Sequence, residues 1–509
     1  MGAIQITGLA ANDPVPGSYV QVAFAQGDVS MGGGSYPALI MASKTSAGSA
    51  TADTMIYGPT SNPPLSTEAD AIALFGPGSP AHRMWQSFVS VNKTTPVYVI
   101  CPSEAATGTA ATGTITITGT ASGAGTLRAY VGEKFVEVSV STNDTPTVIA
   151  AALVSAISAQ TSWAVTATAS AGVVTLTAKV KNKGQEWGRY SATISSGITT
   201  TVTPTVSTKM TTGTGIALDY TSALATISPL RFYYIIPEET AGLGATSTAL
   251  SALQSQIDSS ALPLTGIRQR MFVGAVDSSL TTNLSANLNS PRAEVIWSPD
   301  SDRRPEELAA YTAGVYSLEE QGLSPRCNFS GYGLDTQTQI TWNVQPPRKG
   351  TAPTRSAQVA ALNAGITPIG VTLSGRTYII KRVTTKYQTN SLTDYRIRDA
   401  HKVTIMDRFA DDLQAKLVLQ FSGLKIGNDP AQGQRTPGPD VVTPKIVRAA
   451  VIKLLRDYEA LDLVENVDAS ITALIVQRES VPTTRMGIRL PIDVIDICDQ
   501  FASALDQVA

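Results

Sequence analysis

A strand-and-helix rhythm that breaks off at residue 107 and resumes at residue 216 constrains this chain more than any other feature of its sequence. In the first run, residues 38–42 are continuously apolar, as a strand buried on both faces should be. Residues 67–74 read as a helix capped by Ser66 or Thr67 with Gly76 just past its end. A second helix follows over 81–91, and then a β-branched strand over 97–101. In the second run, strands over 231–237, 270–276 and 293–297 accompany helices over 246–257 and 305–321. The latter has Pro305 at its first position, Glu306 and Glu307 in its first turn and Gly322 beyond it. Such alternation argues for a doubly wound sheet, so the two runs form one α/β domain split by an insertion.

The insertion is dominated by Thr, Ala, Gly, Ser and Val. It alternates apolar and polar residues over 114–118, 133–140, 163–168 and 173–178, and one helical run over 146–159 carries Ile149, Leu153 and Ile157. After residue 374 the pattern changes again, to strands over 376–383 and 469–476 and two long helices over 399–421 and 443–463. Both ends read as arms. Near the start, 18–24 is a short extended segment with Tyr19, Val20 and Val22, followed by the joint Gly32-Gly33-Gly34. At the end, Ile488, Leu490, Ile492 and Val494 alternate with Arg489, Pro491 and Asp493. That is a strand with one buried face, and Pro491 confines it to an edge or to pairing on one side. The fold class is therefore α/β plus β: a split doubly wound α/β core, an inserted mostly-β domain, a C-terminal α+β domain and extended terminal arms. The boundaries fall at 1–36, 37–105, 106–212, 213–374, 375–479 and 480–509.

Composition then narrows the partners. With 38 Lys plus Arg against 40 Asp plus Glu, the formal charge of -2 gives no long-range attraction to nucleic acid or an anionic membrane. Charged residues make up 15%, below the roughly 25% of ordinary domains, so much of the surface is uncharged and suited to packing against copies of itself. Cys101, Cys327 and Cys498 are far apart and read as free buried thiols. The N-terminus lacks the pattern of a secretory leader, and no run approaches the ~20 apolar residues of a membrane span.

The same residues leave little room for catalysis. His82 and His401 are the only histidines, neither accompanies a Gly-x-Ser-x-Gly elbow, and His401 reads as a surface or cap residue at a helix start. No phosphate-binding glycine loop is present, and no cofactor or metal is expected. Asp300, Asp302, Glu306 and Glu307 follow the strand ending at Trp297, where an α/β sheet places a site. Arg303 and Arg304 among them favour a helix start with local ion pairs. Asp411 and Asp412 read as a solvated helix face. On the helix over 443–463, Lys445, Arg448, Lys453 and Arg456 fall in one arc opposite Ala450, Val451, Leu454 and Tyr458: either an ordinary wet face or a basic stripe that docks an acidic partner.

Several stretches resemble the tail sheath proteins of contractile bacteriophages, the Mu-like ones above all. They are Val15-Pro16-Gly17-Ser18-Tyr19-Val20, then Leu74-Phe75-Gly76-Pro77-Gly78-Ser79 before a helix, then Leu362-Asn363-Ala364-Gly365-Ile366-Thr367-Pro368 and Gly375-Arg376-Thr377-Tyr378. Val148-Ile149-Ala150-Ala151-Ala152-Leu153 and Val174-Thr175-Leu176-Thr177-Ala178 look like that group's inserted domain. The resemblance implies a mechanical, non-enzymatic subunit that stacks with itself, six per ring, in a helical sheath around an inner tail tube, with baseplate and tail terminator proteins at its ends. Contraction would drive the tube through the host envelope without the sheath itself entering a membrane. It implies assembly in the host cytoplasm and residence in the virion tail, with arms that add strands to neighbouring subunits' sheets. Lys445, Arg448, Lys453 and Arg456 then become candidates for facing the tube. No subtilisin-like Asp, His, Ser triad can be assembled. The competing reading, a secreted hydrolase or a carbohydrate-binding β-rich protein, rests on the Thr/Gly-rich insertion alone.

Overall fold

The computed structural model describes residues 36–104, 107–182, 184–211, 213, 218–239, 248–278, 288–321, 329–334, 342–432 and 438–497. The arm residues Tyr19, Val20 and Val22 and the joint at 32–34 lie outside the described residues, as do Cys327 and Cys498.

Strands from both sides of the insertion meet in one eight-stranded sheet. Its centre is six parallel strands in the order Ile366–Val371, Ala293–Trp297, Arg270–Ala275, Tyr234–Pro237, Ala38–Met41 and Val97–Ile100. Short antiparallel strands, Thr377–Ile379 and Ile56–Tyr57, finish the two sides. The first strand explains why continuous apolar sequence is needed. Ala38 and Ile40 enter one core with the helices Glu68–Phe75, Pro80–Val89 and Pro305–Glu320. Leu39 and Met41 enter a second core with Thr221–Ile227, Thr248–Ser260 and Arg355–Asn363. Both faces are covered by helices, as parallel sheets require. The helix Glu68–Phe75 starts with the capping box of Thr67 and Asp70 and ends at Gly76, whose φ of 80° belongs to the left-handed region. Gly274 lets the helix beginning at Pro305 approach its strand, since a Cβ there would stand 1.8 Å from the Pro305 carbonyl oxygen.

The insertion builds its own core between two four-stranded antiparallel sheets. Strands Gly125–Val131 and Arg189–Ile194, which the sequence reading passes over, are the inner strands of one of them. Helix Pro146–Ser158 turns Ile149, Ala150, Leu153 and Ile157 inward and packs on the edge strands Lys134–Val140 and Val165–Ser170, one from each sheet, which shields both edges from further pairing.

In the C-terminal region, helix Ala400–Phe421 and helix Pro444–Glu459 enclose a fourth cluster that includes Ile405, Phe409, Leu413, Val447, Val451 and Leu455. One expectation fails here. Residues 469–476 are not a strand: Val467–Ala473 is helical, and the strand is Ile475–Arg478. Val467 and Ser470, three residues apart, are both buried on one face of that short helix, so packing overrides the local β preference of Ile471 and Thr472.

Candidate functional site

The terminal stretch comes first. Its alternation does not form one strand. Met486–Arg489 pairs antiparallel with Ile475–Arg478, placing Ile488 opposite Val476. After the exposed Pro491, Asp493–Val494 pairs instead with Val464–Glu465. Proline lacks the amide needed to continue a ladder, so the chain changes partner at that residue. Ile492 and Val494 are buried in the C-terminal cluster, with Ile488 and Leu490 packed against it. Within a single chain, then, the segment pairs with its own neighbours. A hairpin between segments close in sequence closes at low entropic cost. The hairpin keeps a functional feature: Ile475–Arg478 and Met486–Arg489 pair only with each other among the described residues, so each has an outer edge without a strand.

The basic stripe lies on helix Pro444–Glu459 as expected, but three of its four cations have partners inside the chain. The Arg448 guanidinium donates to the carbonyls of Leu474 and Ile471. Lys453 donates to both oxygens of Asp457, at 2.8 and 3.0 Å. Arg456 binds Glu459 and Asp468. The exposed Lys445 contributes its backbone N–H to Asp429.

Sequence reasoning missed the most organised polar groups, which form two seams at opposite ends of the parallel sheet. At the amino ends of the strands, helix Ala400–Phe421 presents Thr404, Asp407, Arg408 and Asp411, a spacing that puts them on one face. The Arg292 guanidinium grips Asp407 with two bonds of 2.7 Å. Asp411 accepts from Arg268 at 2.8 Å, from Tyr36 at 3.1 Å and from Arg231. Behind them Arg270 and Arg382 share Glu294 and Glu320, with Tyr234 and Thr404 donating to Glu320 at 2.7 and 3.0 Å. Arg382 lies 3.9 Å above the Tyr316 ring. Burial pushes the Glu320 carboxyl up, but Arg382 and Arg270 more than offset it, and the group ends below the usual carboxylate range. Asp411 and Asp412 are thus half-buried and engaged rather than on a freely solvated face: the first binds the core and the second accepts from Tyr458.

At the carboxyl ends, the insertion meets the core. Arg83 binds Glu306 and Glu307, Arg189 of the insertion binds Asp300, and Ser207 of the insertion donates to Asp302. The acidic group after Trp297 therefore pairs across the fold, with Arg83, Arg189, Arg348 and Lys349, rather than with adjacent Arg303 and Arg304. Both histidines are buried. His82 Nδ1 accepts from the Gly78 N–H at 3.1 Å. Burial pushes His401 down to about 4, so it is neither a surface residue nor a base near neutrality. Among the described residues no group of His, Cys, Asp or Glu is arranged to hold a metal ion, and no helix is long and apolar enough to cross a membrane.

No protein family's profile matches the chain. A curated relative does: the tail sheath protein of a Mu-like prophage, FluMu, of Haemophilus influenzae, 25% identical over 473 residues and spanning 88% of each chain. Among solved structures, the chain is similar to the sheath tail protein of Desulfitobacterium hafniense (12% identity, 91% and 97% of the two chains, TM-score 0.44). It is also similar to a chain of the anti-feeding prophage baseplate (13% identity, 98% and 100%, TM-score 0.47). The class of protein this chain resembles is the contractile tail sheath. Within that class its curated relative is a Mu-like one, as the motifs implied.

Proposed function

We propose that the chain is the structural, non-enzymatic subunit of a contractile tail sheath, which polymerises as stacked six-membered rings around an inner tube and contracts to drive that tube through a host envelope. The observation that carries this reading is the sheath relative aligned over 88% of both chains, a span too long to reflect one shared module. The hydrolase reading has no support: the histidines are buried and the acidic groups that follow Trp297 are spent on ion pairs. Self-association fits a surface poor in charge, and the subunit serves in a phage or phage-like tail after assembly in the host cytoplasm. Its further partners are the tube, baseplate and terminator proteins.

The division at 37–105, 106–212, 213–374 and 375–479 serves as the body of this subunit, with arms at 1–36 and 480–509. In the assembly, strands around Tyr19, Val20 and Val22 and around Ile488, Leu490, Ile492 and Val494 tether neighbouring copies. The unoccupied outer edges of the hairpin 475–489 favour this, since strand addition satisfies backbone groups at about 1 kcal/mol per hydrogen bond. Lys445, Arg448, Lys453 and Arg456 make up the tube-facing stripe, with Lys445 its most available charge. Electron microscopy of the negatively stained purified chain tests the function. Rings or helical tubes are expected; a monomer at every concentration and salt would contradict it. Reversing the four stripe residues to Glu should block assembly on the tube, and undisturbed assembly would remove the stripe from the account.

A further inference from the structure

The parallel strands change winding direction between Ala38–Met41 and Tyr234–Pro237. The chain first moves outward to Val97–Ile100, then crosses back to the other side of the first strand. In open α/β sheets the crevice beyond the carboxyl ends at such a reversal is where a ligand binds. Here the register ends with Met41 opposite Pro237, and the next residues in the crevice are Ser43 and Glu238. Glu238 is buried and, among the described residues, reaches no guanidinium; it accepts from neutral donors. Two come from the core, the Ser43 N–H at 2.7 Å and the Ser43 hydroxyl at 2.6 Å. Two come from the insertion, Asn182 Nδ2 and Gln185 Nε2, each at 3.2 Å.

Gln185 is fully engaged. Its side-chain oxygen accepts from Arg304 at 2.9 Å and from Arg83 at 3.4 Å, and its carbonyl accepts from Arg304 at 3.2 Å. Asn182 also donates to the Ser43 hydroxyl at 2.6 Å. Gly188 admits the Arg304 guanidinium, because a Cβ there would lie 2.2 Å from Nη2.

We propose that Asn182 and residues 184–188 of the insertion are a built-in occupant of the switch-point crevice, and that Glu238 clasps them. The position that a doubly wound sheet ordinarily offers to a ligand holds the insertion in place instead. Trp187 of this segment is itself buried in the core on one face of the sheet, while the rest of the insertion keeps a core of its own, so releasing the clasp loosens the segment rather than unfolding the insertion.

The test is hydrogen exchange on the full chain carrying Asn182→Ala with Gln185→Ala. Amides of 184–188 and of Met210, which donates to the Gly188 carbonyl, should exchange at least tenfold faster. The ladders between Ala38–Met41 and Tyr234–Pro237, and between Gly125–Val131 and Arg189–Ile194, should keep their protection. Glu238→Gln, which keeps the shape but removes the charge and one acceptor, should give the same pattern and covers the case in which the double variant does not fold. Loss of protection in all three regions together, or in none, would overturn the proposal. So would the same pattern from Glu137→Gln, a change at an exposed pair with Arg128 far from the crevice.

Discussion

The two ends of the parallel sheet are both sealed by buried charge, yet they are built differently. At the amino ends, Arg270, Arg382, Glu294 and Glu320 are all but inaccessible and each charge meets an opposite one. At the carboxyl ends the central carboxylate, Glu238, is held by neutral amides and a hydroxyl, and the surrounding pairs extend to partly exposed Arg348 and Lys349. Burying charge costs several kcal/mol per ion unless geometry and partners offset it, so a closed lattice of ion pairs adds less to stability than to the choice of one arrangement. The first seam therefore fixes how the C-terminal region sits on the core, as a body that moves as a unit needs. The second, with neutral contacts at its centre, is the one that can open. There burial, with Arg83 alongside, pushes the Arg304 guanidinium down to about 10.

Substitutions can break this contrast. Arg270→Met strands Glu294 and Glu320 in a buried site with one cation fewer and should cost about 3–5 kcal/mol in equilibrium denaturation. Ile492→Ala should cost about 2–5 kcal/mol through the cavity it leaves in the C-terminal cluster. For the same reason, removal of 486–509 should lower the melting temperature of the monomer as well as block polymerisation. Glu238→Ala, which leaves several buried donors unsatisfied, should cost about 1–3 kcal/mol. If it costs as much as Arg270→Met, the two seams are not different in kind. Lys453→Ala, at an exposed pair four residues from Asp457, should change stability by no more than about 0.5 kcal/mol.

Acid separates the seams by sign. Glu320 is held below the usual carboxylate range, so its contribution is present above that range and disappears as pH falls through the lowered value. Burial leaves Glu238 raised, only partly offset by its Ser43 donors, so its contribution is present below the ordinary range and is lost as pH rises through the raised value. Denaturation across pH should show the gap between wild type and Glu320→Gln narrowing toward acid, and the gap to Glu238→Gln moving the opposite way. Parallel curves would contradict both assignments.

What could be read beforehand was what repeats locally. Apolar runs such as 38–42 and capped helices such as Glu68–Phe75 carry their structure in adjacent residues. The seams do not: Arg83 and Glu307 are 224 positions apart, and Arg292 and Asp407 are 115 apart. One signal was available. Thr404, Asp407, Arg408 and Asp411 recur at helical spacing beside an equally regular Ile405, Phe409 and Leu413, which marks a helix with two buried faces, one of them polar. At the carboxyl ends, the acidic residues after Trp297 were rightly noticed as standing where a site belongs, but only the fold reveals that the insertion fills it. The terminal strand shows the limit of alternation, which gives one buried face to Ile488 through Val494 without naming a partner, while Pro491 divides them between two.

The most direct measurement is a cryo-electron microscopic reconstruction of whatever the purified chain forms. The account predicts a helical tube of six-fold layers in which each subunit keeps Arg292 on Asp407 and strands from neighbouring copies lie along the hairpin 475–489. A chain that stays monomeric at high concentration, or a tube whose subunits have parted at the Arg292–Asp407 contact, would contradict it.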